Sequence, residues 1–552
     1  MNESLHDRVI SWIEGDPDVE DRATLQGLLD SGDEEELHRR FDAPLTFGTA
    51  GLRGPVMAGP AGMNRYTVRR ATQGVIAWLH EIGVDANRGV VVGRDARRGS
   101  ESFNDEVVGV LLGAGVKVYE MPEPLPTPLV AYCVKKIGAA AGIMVTASHN
   151  PPQDNGYKLY SEDGSQIIPP HDEIVERLAN EATTPKLGER TSAQHEWISK
   201  DLLEEYRAHF THRFGVPGGS ELAITYTPLH GVGGATMMEL FSRAGYSSVT
   251  PVAKQFEPDS AFPTLPFPNP EEPGALDLAM AHADEVSSRL VIANDPDADR
   301  LGAAARDGEV WHVLRGDQIG WLLASSMLPT MSDPRDVVAT TIVSSTLLRK
   351  MARDAGVRFV MTLTGFKWLA RAAGDDVLRF GYEEALGFAV DPEVADKDGL
   401  SAGLALAQLC DELGRQGQTL MDRLDEIETR YGVHSIFQLS LRAEGPTGLS
   451  AINESVQSIR ERPPASLGGI AVSEHFDLNL GYEGLGSTDG VLLQLGESGR
   501  VVVRPSGTEP KLKAYIEITS PPSNAISLEE QRRRGAAQVD AVRADLQSLL
   551  RL

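Results

Sequence analysis

A chain of 552 residues, 41% hydrophobic and 24% charged, is too long for one hydrophobic core and divides into about three to four domains at roughly 150 residues each. Its 52 basic against 79 acidic residues leave a net charge of -27, a field that repels phosphate backbones and anionic membranes, so nucleic-acid and membrane partners are not expected. Two cysteines, Cys133 and Cys410, supply neither a disulfide framework nor a cysteine-rich zinc site.

The first forty residues carry apolar groups at helical spacing (Val9, Trp12, Ile13, then Leu25, Leu28, Leu29) between acidic ones, which predicts one or two surface helices. Their acidic start lacks the positive region and apolar block of a signal peptide, and no later stretch approaches the roughly 18 apolar residues of a membrane helix; a cytoplasmic address is expected. From residue 90 onward one arrangement recurs: a short apolar run, a polar loop with Gly or Pro, then a helical pattern. Val90 to Val92 precedes Gly93-Arg94-Asp95, and Gly142 to Val145 precedes Thr146-Ala147-Ser148-His149-Asn150-Pro151. Leu222 to Tyr226 leads into Thr227-Pro228-Leu229-His230-Gly231, and Leu290 to Ala293 into Asn294-Asp295-Pro296-Asp297. Phe359 to Leu363 and Val501 to Val503 complete the series, before Thr364-Gly365-Phe366-Lys367 and Arg504-Pro505-Ser506-Gly507-Thr508. Strands alternating with helices predict α/β units, whose ligands sit beyond the carboxyl ends of the strands. The stretch Pro258 to Pro273, with six prolines in sixteen residues, reads as an extended, ordered loop.

Three of these loops hold chemistry-bearing residues at suggestive spacings. Asp295, Asp297 and Asp299 alternate directly after an apolar strand; in extended backbone such residues point one way and can converge on a hard divalent cation. Mg²⁺ is the natural ion, since it takes few carboxylates and completes its shell with phosphate oxygens. An EF-hand is excluded, because Arg300 and Arg306 stand where that loop needs Gly and Glu. Ser148 is a turn serine, a phosphate carrier or an acyl nucleophile; it lacks the Gly-x-Ser-x-Gly elbow of the last. Gly399-Leu400-Ser401-Ala402-Gly403 matches that pattern but follows an acidic segment and reads as a helix start. Arg504-Pro505-Ser506-Gly507-Thr508-Glu509-Pro510-Lys511 combines a forked cation, hydroxyls and a glycine, the parts of a phosphate cradle. No Gly-Lys dipeptide occurs, which removes a Walker A loop. Phe47 to Gly54 brings Arg53 on a glycine-rich loop or tight turn, and Gly381 to Gly387 offers Glu383 and Glu384 to sugar hydroxyls or to a helix N-terminus.

In their order these loops resemble the α-D-phosphohexomutase superfamily, roughly from Phe47 to Ile516. Thr-Ala-Ser-His-Asn-Pro is similar to its phosphoserine loop and Asp-Pro-Asp-Ala-Asp-Arg to its metal loop. Gly-Tyr-Glu-Glu-Ala-Leu-Gly is similar to its sugar loop and Arg-Pro-Ser-Gly-Thr-Glu-Pro to its phosphate loop. The resemblance implies an α/β fold of three similar domains and a C-terminal α+β domain around a central cleft, placed here at 1–205, 206–322, 323–432 and 433–552. It implies that Ser148 carries the phosphoryl group and, with Asp295, Asp297 and Asp299, holds Mg²⁺. Arg53 and Arg300 would stabilise the moving charge, and Lys158 and His149 would handle the proton. Glu383, Glu384, Lys367, Lys397, Arg504, Ser506, Gly507, Thr508 and Lys511 would bind substrate. The implied reaction interconverts glucose 1-phosphate and glucose 6-phosphate through a bisphosphorylated sugar, with glucose 1,6-bisphosphate as activator and a monomer or homodimer as the working form. Ala385 stands where many hexomutases carry Ser, and with the acidic N-terminal helices and the Phe47 to Gly54 loop this is more similar to the phosphoglucomutase-2 and phosphopentomutase branch. Pentose or mannose phosphate is thus the alternative substrate, and a non-catalytic sugar-phosphate sensor the alternative role.

Overall fold

A computed structural model of the chain describes residues 4–47, 51–182, 184–442, 448–505 and 511–550. The chain forms two compact units, Met1–Leu314 with Leu386–Asp411, and Arg315–Ala385 with Glu412–Leu552. The N-terminal segment forms three helices, Leu5–Gly15, Val19–Ser31 and Glu34–Phe41, where helical spacing alone predicts one or two. Local signals explain the extra break: Asp18 caps the second helix, Gly32 at φ +68° ends it, and Asp33 caps the third. Their apolar stripes meet in a small core of Val9, Trp12, Leu25, Leu37 and Phe41.

All six apolar runs are strands: Val90–Arg94, Ala141–Val145, Ile224–Thr227, Leu290–Asn294, Arg358–Thr362 and Gly499–Pro505. Ala141–Val145 and Leu290–Asn294 are buried at every position, as strands inside a helix-covered sheet must be. The first sheet runs Leu52–Pro55, Asp154–Ser161, Ala141–Val145, Val90–Arg94, Val118–Glu120, His195–Trp197. Its parallel centre is flanked by the antiparallel return Asp154–Ser161, whose register sets Lys158 opposite Met144 and Gly156 opposite Arg53. Arg53 and Lys158 are thereby delivered beside the loop that follows Val145.

The second sheet runs Val310–Leu314, Leu301–Asp307, Leu290–Asn294, Ile224–Thr227, Val249–Pro251. Leu290–Asn294 and Leu301–Asp307 form a hairpin whose last pair is Asn294 with Leu301, so residues 295–300 are its connecting loop. The Pro258 to Pro273 stretch is an irregular loop of this same domain.

In the second unit, Arg358–Thr362, Asp336–Thr341 and Val377–Glu383 pair in parallel. The C-terminal sheet is antiparallel, Val433–Arg442, Lys511–Ser520, Gly499–Pro505, Val491–Gln494, Glu474–Asp477. One face of it shares a core with the helix Leu528–Leu550 through Val501, Val503, Ile516, Val542 and Leu546. The other face alternates with that core: Arg504 with Lys513, Val502 with Tyr515, Arg500 with Glu517. Val502 and Tyr515 pack on Ile342 and Val343, while Arg500 bonds the Ser344 carbonyl. Three α/β domains followed by an α+β domain is the architecture expected. No helix among the described residues is long and apolar enough to cross a membrane.

Candidate active site

Ser148 is the third residue beyond its strand, buried, with φ +53°. Left-handed backbone costs a non-glycine residue about 1–2 kcal/mol and persists only where neighbours fix it. Here the Ser148 amide donates to Thr146 Oγ1 at 2.8 Å, and Thr146 donates to Asp95 Oδ2 at 2.6 Å. The strained conformation aims Ser148 Oγ at Asp295 Oδ2, 2.8 Å away. His149 Nδ1 is 3.1 Å from the same Oγ, and its Nε2 faces Arg300 Nη2 at 3.4 Å. An arginine can only donate, so Nε2 accepts and the neutral imidazole carries its proton on Nδ1, toward the serine. Burial, then the charges of Arg300 and Arg53, hold that imidazole neutral, well below the usual histidine range.

The three aspartates converge differently from the extended-strand expectation. The loop curls: Ala298 adopts φ +57°, its amide bonds the Asp295 carbonyl at 2.9 Å, and the Arg300 amide bonds Asp295 Oδ1 at 3.0 Å. All three carboxylates are buried, and one oxygen from each lies within 4.8 Å of the others. Lys158 Nζ bridges Asp297 Oδ2 at 2.7 Å and Asp299 Oδ2 at 2.6 Å, and Lys397 Nζ stands 3.4 Å from Asp299. Thr127, opening the helix Thr127–Ile137, donates to Asp297 Oδ2 at 2.5 Å. Burial and its two neighbouring carboxylates push Asp295 well up, whereas Lys158 and Lys397 overcome burial and hold Asp299 down. Burial disfavours the Lys158 charge, but Asp297 and Asp299 outweigh it and keep the amine above its ordinary range.

The donor set fits a hard divalent cation. Asp297 Oδ1 and Asp299 Oδ1 are buried and meet no hydrogen-bond donor among the described residues, a costly state for carboxylate oxygens unless an ion completes them.

Ser148, His149, Lys158, Arg53, Arg300, Lys397 and the aspartate triplet thus all belong to the first unit. Glu383, Glu384, Lys367, Arg504 and Lys511 belong to the second. Glu383 ends the strand Val377–Glu383, buried. Glu384 follows in a turn, not a helix start, with Oε2 accepting from Ser344 Oγ at 2.9 Å and Thr341 Oγ1 at 3.3 Å. Lys367 is buried in the short helix Phe366–Leu369. Arg504 and Lys511 lie on either side of residues 506–510, Arg504 with a buried Nε that meets no acceptor among the described residues. Ser506, Gly507 and Thr508 lie outside the described residues. Sequence reasoning did not single out Thr127 or Thr146 and passed over Asp95; the helix-start pattern Pro126-Thr127-Pro128 and the loop Gly93-Arg94-Asp95 were the available signals.

Four family models match in chain order: phosphoglucomutase/phosphomannomutase alpha/beta/alpha domains I, II and III over residues 44–186, 204–308 and 315–431, and the C-terminal domain over residues 457–534. The chain belongs to the phosphoglucomutase/phosphomannomutase family. A "Probable phosphomannomutase" of Haemophilus influenzae is 37% identical over 461 residues, 83% of this chain and 93% of that one. The phosphopentomutase of Mus musculus is 33% identical over 570 residues, 95% of this chain and 92% of its own. A crystal structure of a phosphoglucomutase/phosphomannomutase family protein from Burkholderia thailandensis shares the fold, at TM-score 0.69 and 20% identity over 91% of this chain and 97% of that one. Members of this family are mutases, so the serine, the aspartate loop and their cations stand in a phosphotransfer setting.

Proposed function

We propose that this phosphohexomutase moves a phosphoryl group between the C1 hydroxyl and the terminal hydroxyl of an aldose phosphate, with Ser148 as the carrier. The observation that carries this is the 2.8 Å hydrogen bond from Ser148 Oγ to the buried aspartate triplet, with cations on the other sides. Phosphoryl transfer needs in-line positioning and positive charge around the moving group more than covalent chemistry. Arg53, Lys158, Arg300 and Lys397 give four positive charges against the three aspartates, so a phosphate dianion and a divalent cation enter together without upsetting the local balance. Asp295, Asp297 and Asp299 would hold Mg²⁺, which supplies charge neutralisation for the phosphoryl oxygens.

The phosphorylated serine gives its PO₃ group to the free sugar hydroxyl, and the proton released there must finally reside on Ser148 Oγ. His149, whose Nδ1 lies 3.1 Å from that oxygen, gives it the proton, and the proton leaving the sugar hydroxyl returns to His149, with Lys158 as the other group of the site able to carry it. The bisphosphorylated sugar then turns end for end, and its other phosphate returns to Ser148. By resemblance to the family, Glu383 would grip sugar hydroxyls, and Arg504, Ser506, Gly507, Thr508 and Lys511 would clamp the phosphate that is not reacting.

We take glucose 1-phosphate as the leading substrate. A pentose 1-phosphate is the second reading, favoured by the phosphopentomutase that matches almost end to end and by Ala385. The test is turnover of glucose, mannose and ribose 1-phosphates with glucose 1,6-bisphosphate as activator, together with intact-mass analysis and peptide mapping for one phosphate at Ser148. Turnover by Ser148→Ala at the parent rate, or binding of sugar phosphates without any turnover by the parent, refutes the carrier role.

A further inference from the structure

Fixing the aim of Ser148 Oγ requires that both peptide groups flanking its Cα be held. Thr146 and Asp95 hold the one before. The one after is held by Arg97, whose side chain is 1% exposed. Arg97 Nη2 donates to the carbonyls of Ser148 at 2.5 Å and Asn150 at 2.6 Å, and Nη1 to those of Pro151 at 3.0 Å and Asp154 at 3.3 Å. One planar fork thus spans the loop from the serine to the start of the strand Asp154–Ser161. Only arginine presents enough donors in one plane for four carbonyls.

The guanidinium rests on the ring of Phe262, 4.8 Å from its centroid. Phe262 is contributed by the proline-rich loop of the second domain, where it adopts φ +45° and is itself buried. That loop is anchored by Thr264, which meets His230 Nε2 at 2.8 Å and Gln255 Nε2 at 3.0 Å, and it also sets Glu271 3.6 Å from Arg300. A face of π electrons keeps the guanidinium charged and in plane while leaving its N–H groups free for the carbonyls.

We propose that Arg97, seated on Phe262, is a positioning residue for phosphoryl transfer, and that the proline-rich loop exists at this site to supply the seat. The proposal rests on Ser148 being the phosphate carrier. Arg97 touches no reacting atom; it sets the φ and ψ of the residue that does. Misplacement by about 1 Å is enough to cost about 100-fold in rate.

The test compares Arg97→Lys, Phe262→Leu and Phe262→Tyr with the parent, reading kcat and KM for sugar phosphate, melting temperature, and amide hydrogen exchange over residues 146–154. Arg97→Lys and Phe262→Leu are expected to lower kcat by about 10- to 100-fold with KM within about threefold, and to speed exchange of the loop. Phe262→Tyr, which keeps the aromatic face, is expected to restore kcat to within about twofold of the parent. Unchanged exchange and kcat in Arg97→Lys, or equal losses in Phe262→Leu and Phe262→Tyr tracking a lower melting temperature, overturn the proposal. The exchange readout separates the two ideas: a parent with no phosphate at Ser148 and no turnover refutes the carrier reading, while loosening of the loop in Arg97→Lys is judged independently of it.

Discussion

Asp317 opens the helix Gly316–Met327 and is wholly enclosed, with Oδ1 accepting from the Ser345 amide at 2.7 Å and the Tyr382 hydroxyl at 2.8 Å. Burial, then the nearby charge of Glu384, pushes its carboxyl from the ordinary 3.8 up to about 7. A raised carboxyl makes the folded state bind more protons than the unfolded one between those two values, so this group's contribution to stability is greatest in acid and is lost as pH rises toward 7. At 1.36 kcal/mol per pKa unit the full gap is worth about 4 kcal/mol, of which about 3 kcal/mol falls between pH 5 and pH 8. Asp317→Asn keeps an acceptor for both hydrogen bonds and cannot ionise, so it escapes this loss. The expected outcome is a stability difference that moves by about 3 kcal/mol in favour of the variant from pH 5 to pH 8. Amide exchange in the peptides containing Ser345 and Tyr382, corrected for its intrinsic pH dependence, reads the opening free energy directly. A difference that stays constant across this range, or that shifts toward the parent, refutes the reasoning.

Lys158→Met strands Asp297 and Asp299 without their buried cation and should cost about 3–5 kcal/mol in thermal or urea unfolding, partly recovered by adding Asp297→Asn. Gly399→Ala puts a methyl group 2.2 Å from the Arg300 carbonyl and 2.7 Å from Asn294 Nδ2, so it should destabilise by about 1–3 kcal/mol and reduce turnover by shifting the aspartate loop. Gly27→Ala, in the helix Val19–Ser31 with nothing within 4 Å, should instead stabilise by about 0.5–1 kcal/mol in the same assay. Because His149 is held neutral well below 6.5, kcat should stay flat in its His149-dependent limb from pH 8 down past 6; an acid limb near 6.5 that His149→Gln abolishes would show an ordinary imidazole instead.

The candidate loops stand out in the sequence because their residues are unusual where they stand: three alternating aspartates after Leu290 to Ala293, a serine between Ala147 and His149, an arginine before Pro505. The strands were legible because buried parallel strands read as unbroken apolar runs, as Ala141–Val145 does. What could not be read was reach across the fold. Thr127 and Asp297 are 170 residues apart, Arg97 and Ser148 51, and no local pattern joins either pair. The mode of convergence was also hidden, since alternation of Asp295, Asp297 and Asp299 satisfies an extended strand, and only the tertiary setting turns Ala298 left-handed. The third N-terminal helix was readable from Gly32 and Asp33, whose stop and start signals outrank an apolar spacing that runs past them.

The backbone twist at Ser148 decides which amino acid can hold the post at all. Threonine also brings a hydroxyl on Cβ, yet its second β substituent makes a positive φ far harder to adopt. A swap that looks chemically silent would therefore force the chain to choose between relaxing the turn and losing the oxygen's direction. The choice of serine here is written in the geometry of the main chain before it is written in the chemistry of the hydroxyl.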